Sequence, residues 1–137
     1  MASRDELYAV LDRYVAALRA RDPAAAPWAD APFTSENNVA LQVGDGLWNT
    51  VTAIGPYDLR FADPVTGQVA LFTCVEETDA VSPAAIRLEV IGGKIASAET
   101  VVARNKDEGF PFLGQAYDDK PAMRDTVPAS ERASRAE

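Results

Sequence analysis

Apolar residues recur three and four apart at Leu7, Val10, Leu11, Tyr14, Val15 and Leu18, while Asp5, Asp12, Arg13, Arg19 and Arg21 fall mostly elsewhere. That spacing predicts an amphipathic helix with one buried face. Ser3-Arg4-Asp5-Glu6 stands just upstream with the spacing of a capping box, which fixes where the helix starts. Asp22-Pro23 predicts a second N-cap with proline in the first turn, opening a short helical segment through Ala24 to Ala26 that Pro27 and Pro32 limit. From Phe33 the period changes to two. Strands are expected at Phe33 to Thr34, Val39 to Val43, Trp48 to Ala53, Tyr57 to Ala62, Gln68 to Glu76, Ala85 to Ile91 and Lys94 to Ala103. Asp63-Pro64-Val65-Thr66-Gly67 fits a turn that makes an antiparallel hairpin of its flanking strands. Gln68 to Glu76 is apolar on both alternations, as a central strand covered on both faces would be.

The last hairpin carries the most chemistry. Gly92-Gly93 supplies the positive φ angles of a tight primed turn. Folding about it pairs Val90 with Ile95, Leu88 with Ser97 and Ile86 with Glu99, so that Glu99 and Val101 share a face with Ile86, Leu88, Val90 and Ile95. A carboxylate there is costly unless paired or protonated, and desolvation would raise its pKa into the range of a general base. The competing reading is an outward strand carboxylate, which follows if the register slips by one residue.

Composition narrows the chemistry. At 137 residues the chain fits one domain with a core large enough to need no disulfide. Cys74 is the single cysteine and sits in an apolar run, so it reads as a small core residue from a reducing compartment. No charged-then-apolar leader and no apolar stretch near ~18 residues is present, so the expectation is a soluble cytoplasmic protein with no membrane partner. A net charge of −8 argues against nucleic acid, whose backbone is bound by Lys and Arg. With no histidine and one cysteine, no metal site is expected. Acid-base work falls to Asp, Glu, Tyr, Lys or water. Residues 105–137 turn to Pro, Gly, Asp and Arg around an apolar knot, Phe110-Pro111-Phe112-Leu113, and read as an irregular arm after a domain at 1–104. Ala133-Ser134-Arg135-Ala136-Glu137 echoes Ala2-Ser3-Arg4-Asp5-Glu6, the pattern expected if a second helix or a second copy of the domain began there.

One amphipathic helix, a short second helix and a long curved antiparallel sheet ending in a wide hairpin resemble the nuclear-transport-factor-two-like cone, the α+β fold of SnoaL-like cyclases and ketosteroid isomerases. Phe33-Thr34-Ser35-Glu36-Asn37, Gly44-Asp45-Gly46-Leu47-Trp48, Phe61-Ala62-Asp63-Pro64 with Gly67-Gln68-Val69, and Glu99-Thr100-Val101-Val102-Ala103-Arg104 are similar, in that order, to a bacterial and fungal SnoaL-like subgroup, over about residues 3 to 104. The resemblance implies a conical pocket between helix and sheet, cofactor-free lyase or isomerase chemistry on a small apolar substrate, and pairing of two copies through the outer sheet face. Some members of the superfamily release a hydroxymethyl carbon of lignin-derived diaryl compounds as formaldehyde, and this chain is similar to them in size and aromatic content. The chain departs from the ketosteroid isomerases, since no strand Asp matches their base, and it lacks the histidines of scytalone-dehydratase-like enzymes.

The candidate catalytic residues are therefore Glu99 as base, with Tyr14 and Arg104 as stabilisers of negative charge. Tyr14 lies on the buried helix face, where its hydroxyl needs a partner, although a plain core tyrosine looks the same. Arg104, at the exit of the last strand, reads equally as a surface arginine or the partner of a carboxylate. Trp48 either covers the pocket mouth or plugs the sheet edge; Asn37 belongs to a turn or binds substrate. Phe33, Phe61 and Phe72 are wall candidates, and Glu76-Glu77 and Asp118-Asp119 read as solvated pairs. The expected function is a lyase or isomerase without metal or organic cofactor, working on a small aromatic substrate as a homodimer or higher homo-oligomer. The alternative is a non-catalytic ligand-binding or dimerisation module of the same fold.

Overall fold

The computed structural model describes residues 1–78, 80–104 and 127–134. The first helix, α1 (Arg4–Ala20), opens on the expected capping box. The Glu6 N–H donates to Ser3 Oγ at 3.2 Å and the Ser3 N–H to Glu6 Oε2 at 2.7 Å. Arg21 closes the helix in the left-handed conformation. Leu7, Val10, Leu11, Tyr14, Val15, Ala17 and Leu18 are buried, the face that the apolar spacing predicts. A 3-10 turn at Pro23–Ala25 follows, opening on its own proline and stopped before Pro27.

Seven strands form one curved, unclosed sheet around α1. They are β1 (Trp28–Glu36), β2 (Val39–Leu41), β3 (Val51–Ile54), β4 (Leu59–Asp63), β5 (Gln68–Glu77), β6 (Ala80–Ile91) and β7 (Lys94–Val102). The order is β2-β1-β7-β6-β5-β3, with β4 also pairing β5. This is the α+β cone that the resemblance implies. All pairings are antiparallel except β1 with β7, which run parallel, so the sheet is mixed. The inner face, with Val69, Leu71, Val75, Ile86, Leu88, Val90, Ile95, Ala98 and Val102, packs on α1 to make the core. The arm and the second-copy echo expected over residues 105–137 lie outside the described residues apart from 127–134, where Ala129–Glu131 form a 3-10 turn.

Local chemistry sets two turns as expected. Asn37 and Asn38 both take positive φ, 47° and 65°, between Glu36 and its partner Val39, which makes a primed hairpin turn. Asp63 accepts from the Val65 N–H and the Thr66 hydroxyl between β4 and β5. Other elements differ from the pattern. β1 starts at Trp28 because its three-residue offset against β7 absorbs Pro32. The expected strand from Trp48 begins instead with one helical turn, α2 (Leu47–Thr50), and β3 starts at Val51. β5 is fully covered on its inner alternation and unevenly on the outer one, where Cys74 is buried and Ala70 half-buried but Phe72 is exposed.

The register of the last hairpin corrects the sequence reading. Gly92 and Gly93 turn as expected, at φ 58° and 76°, and Val90 pairs with Ile95. Glu89 then pairs with Ser97, so Ala96 is an extra residue, and beyond it Leu88 faces Ala98, Arg87 faces Glu99 and Ile86 faces Thr100. One bulge moves Ala98, Thr100 and Val102 inward and Glu99 and Val101 outward. Arg60 pins helix to sheet: its guanidinium bonds Asp58, bonds Asp12 of α1 at 2.9 Å and lies 5.5 Å from the Tyr8 ring centre.

Candidate functional site

The bulge decides which side chains face the inner cavity. At the open end of the cone it leaves Tyr14 and Leu18 of α1, Thr34 and Glu36 of β1, Leu47 and Trp48 of α2, and Ala98 and Thr100 of β7 around a space of about 20 Å³. Such a space holds about one water. Tyr14 is buried between Trp28 and Trp48, its ring edge-on to both at 5.8 and 5.4 Å. Burial pushes its pKa up to about 12; a hydrogen bond with Thr100 opposes the rise, the nearby Glu36 carboxylate adds to it and Trp48 opposes it. Tyr14 therefore stays protonated at neutral pH and can act only as a hydrogen-bond donor or acceptor.

Glu36, which is not among the candidate residues of the sequence, is the acid at this site. It is the last residue of β1, and the primed turn beyond it fixes its side chain on the inner side with Thr34. Its carboxylate is mostly buried, with a side-chain exposure of 13%. Oε2 accepts from the Leu47 N–H at 2.7 Å, and Oε1 lies 2.7 Å from Arg104 Nη1. The signal was available in Asn37-Asn38, since two residues at home in the left-handed region make Glu36 a strand end and give it the parity of Thr34.

Arg104 also pairs with Glu77, through Nε to Oε2 at 2.6 Å and Nη2 to Oε1 at 3.0 Å. Burial alone would raise the Glu77 pKa, but hydrogen bonds from Arg104 and Thr50 outweigh it and hold the carboxyl below its ordinary range. Glu77 is thus a paired, largely shielded acid rather than a solvated one. The expected alternative for Arg104, a carboxylate partner, is the arrangement found.

The remaining expectations divide. Trp48 lines the cavity and is buried. Asn37 sits in its turn and is spent on β7, accepting from the Val102 N–H at 2.8 Å and donating to the Val102 carbonyl at 3.1 Å. Glu99 lies on the outer face, about half exposed, with Oε1 2.9 Å from Arg87 Nη2. The Arg87 hydrogen bond lowers its pKa, opposite to the rise expected for a buried base. Phe33, Phe61 and Phe72 do not line this cavity: all three are about half exposed, Phe61 and Phe72 meet edge-on at 6.1 Å on the outer face, and Phe72 lines a separate groove there. Among the described residues no group of acids or Cys74 is clustered to hold a metal, and no helix is long and apolar enough to cross a membrane.

No family model and no curated protein matches the chain. Solved structures do. A protein of unknown function with a cystatin-like fold from Methylobium petroleophilum is 18% identical, with a TM-score of 0.63 over 88% of this chain and 95% of its own. A proposed polyketide cyclase from Xanthomonas campestris is 14% identical, with a TM-score of 0.60 over 83% and 98%. A nuclear-transport-factor-two-like protein of unknown function from Cytophaga hutchinsonii is 12% identical, with a TM-score of 0.52 over 71% and 89%. At these identities the likeness is one of fold.

Proposed function

We propose that the inner cavity is the site of a cofactor-independent lyase or isomerase acting on a small, largely apolar, aromatic substrate, with Glu36 in place of Glu99 as the group that moves the proton. The observation that carries this reading is the convergence of a carboxylate, Glu36, and a buried phenol, Tyr14, on one aromatic-walled cavity. Glu36 would accept a substrate proton. Tyr14, neutral at working pH, would donate to oxygen as charge develops there, and Arg104 would hold the carboxylate in line. Trp28 and Trp48 exclude water and so strengthen these interactions. The fold is shared with a protein proposed to cyclise polyketides, which supports a small-molecule site in the cone.

The narrowest form of the proposal comes from sequence resemblance alone and is a lyase releasing formaldehyde from lignin-derived diaryl compounds. Glu36 would take the proton of the hydroxymethyl O–H, the carbon-carbon bond would break to free formaldehyde, and the electron pair would expel the neighbouring hydroxyl as the alkene forms. The proton returns to that hydroxyl and leaves as water. A 1,2-diarylpropane-1,3-diol is the probe, with formaldehyde and stilbene absorbance as readouts. Glu36→Gln is expected to lower kcat at least about 10²-fold, the usual share of a general base. Full turnover by that variant removes Glu36 from the mechanism.

A second reading, a non-catalytic ligand-binding or dimerisation module, is favoured by two observations. Both oxygens of Glu36 are already engaged, and the cavity is only about 20 Å³. The outer face meanwhile carries an apolar groove lined by Tyr57, Phe72, Pro83, Ala85, Val101 and Ala103. Light scattering on the purified chain, with no turnover of the diol, would favour this reading if it reports a dimer.

A further inference from the structure

A substrate with an aromatic ring cannot enter a space sized for one water unless part of the wall moves. The wall segment with the fewest ties to the sheet is the stretch around α2. It is approached through Gly44 and Gly46, both in the left-handed region at φ 96° and 63°, and it carries Leu47 and Trp48 over the cavity. Its two ends are held in the same way. At the start, the Leu47 N–H donates to Glu36 Oε2 at 2.7 Å. At the finish, the Thr50 hydroxyl donates to Glu77 Oε1. One guanidinium, Arg104, then joins both carboxylates, at 2.7 Å to Glu36 and 2.6 Å to Glu77.

The geometry points to a latch: Arg104, by bridging Glu36 and Glu77, fastens both ends of the α2 turn and so keeps Trp48 closed over the cavity, and release of this bridge is how a ligand gains entry. The arrangement suits a guanidinium rather than an ammonium, because its fork reaches two carboxylates on different strands at once. Gly46 completes the fit. A Cβ there would stand 2.5 Å from Glu36 Oε2 and 2.8 Å from Leu41 Cδ1, so a side chain at this position would push the carboxylate out of the latch. Arg104 is thereby a positioning residue, acting on the cavity through Glu36, Glu77 and the turn they hold.

The latch rests on the reading of the cavity as a ligand site, but it is tested with no ligand present. The chain has two tryptophans, so Trp28→Phe leaves Trp48 as the sole tryptophan, read by exciting on the red edge beyond tyrosine absorption. Acrylamide quenching of Trp48 is expected to be weak in that background, because the ring is 8% exposed. Arg104→Gln is expected to raise the quenching constant at least threefold with the far-ultraviolet circular dichroism unchanged, and Glu77→Gln, which frees only the Thr50 end, to give a smaller rise. Arg87→Gln, on the outer face, should leave quenching unchanged. Unchanged quenching in both folded latch variants, or an equal rise with Arg87→Gln, overturns the latch whatever the outcome for Glu36 in turnover. If Arg104→Gln does not fold, Glu77→Gln alone decides.

Discussion

At the scale of the residue, burial and partner together decide what each ionisable group can do. Tyr14 and Glu99 illustrate the two directions. Tyr14 is wholly enclosed and its phenol is pushed up to about 12, whereas Glu99 lies beside Arg87 in solvent and is held below the usual carboxylate range. The Tyr14 shift has a consequence for stability. An unfolded tyrosine releases its proton near ~10, so between about 10 and about 12 the native state binds a proton that the unfolded state has lost. The contribution is complete below the unfolded pKa and disappears as pH rises through the folded one. Unfolding free energies from urea titrations at pH 9, 10 and 11 are expected to fall more steeply for the parent than for Tyr14→Phe, by up to ~1.4 kcal/mol per pH unit. Equal slopes would mean that the hydroxyl is not enclosed as described. Sequence alone could place Tyr14 on the buried helix face, because six apolar positions of one helix agree on it. It could not give the titration, which depends on Trp28 and Trp48 arriving from two other segments.

At the scale of the element, a single residue in β7 determines the site. The segment Ile95-Ala96-Ser97-Ala98 is small after its first residue, and small side chains are tolerated on either face, so alternation is silent about which of Ser97 and Ala98 turns inward. The turn at Gly92-Gly93, the pairing of Val90 with Ile95 and the existence of both strands were legible; the bulge at Ala96 was not. Its effect runs to the end of the strand, taking Glu99 and Val101 out and bringing Thr100 and Val102 in. Elsewhere the local signals were sufficient, as with the capping box of α1 and the Asn37-Asn38 turn, because each is a short-range hydrogen-bond or φ requirement that needs no distant partner. Deleting Ala96 removes the extra residue and leaves Ser97, Ala98 and Glu99 opposite Glu89, Leu88 and Arg87 in an unbroken ladder, with Glu99 still outward. The deletion variant is therefore expected to keep the fold, with a midpoint of thermal unfolding by circular dichroism close to that of the parent. A midpoint that drops steeply would show that Ala96 does more than offset the register.

At the scale of the whole molecule, the sheet separates its tasks by face. Inside are the core and the cavity. Outside, the strands divide into two halves. One half is a charged and polar ladder, in which Arg87 is bonded to Glu99 and Gln68, and Glu89 to Ser97. The other half is apolar, with Phe61, Phe72 and Val101 exposed by 49, 46 and 57% beside Tyr57, Pro83 and Ala85. The fold class could be read from the order of one helix and many strands, but the aromatic residues could not be assigned to a face, because phenylalanine on a half-buried strand fits a pocket wall and an interface equally well. A contiguous apolar patch of this kind on a folded domain marks an interaction surface more often than chance exposure. Its neighbour is an ion-paired half that is already satisfied, which suits a polar rim around a hydrophobic centre. The occupant we expect is a second copy, placed so that the apolar halves meet and the Arg87 ladders flank them. Light scattering should then give twice the 14.7 kDa mass of one chain. Phe72→Glu should return the species to a monomer with its circular dichroism intact, because a charge at the centre of the patch stays solvated only when the two copies part. A parent that is already monomeric at 100 μM, or a Phe72→Glu variant that remains dimeric, would place the partner of this face elsewhere.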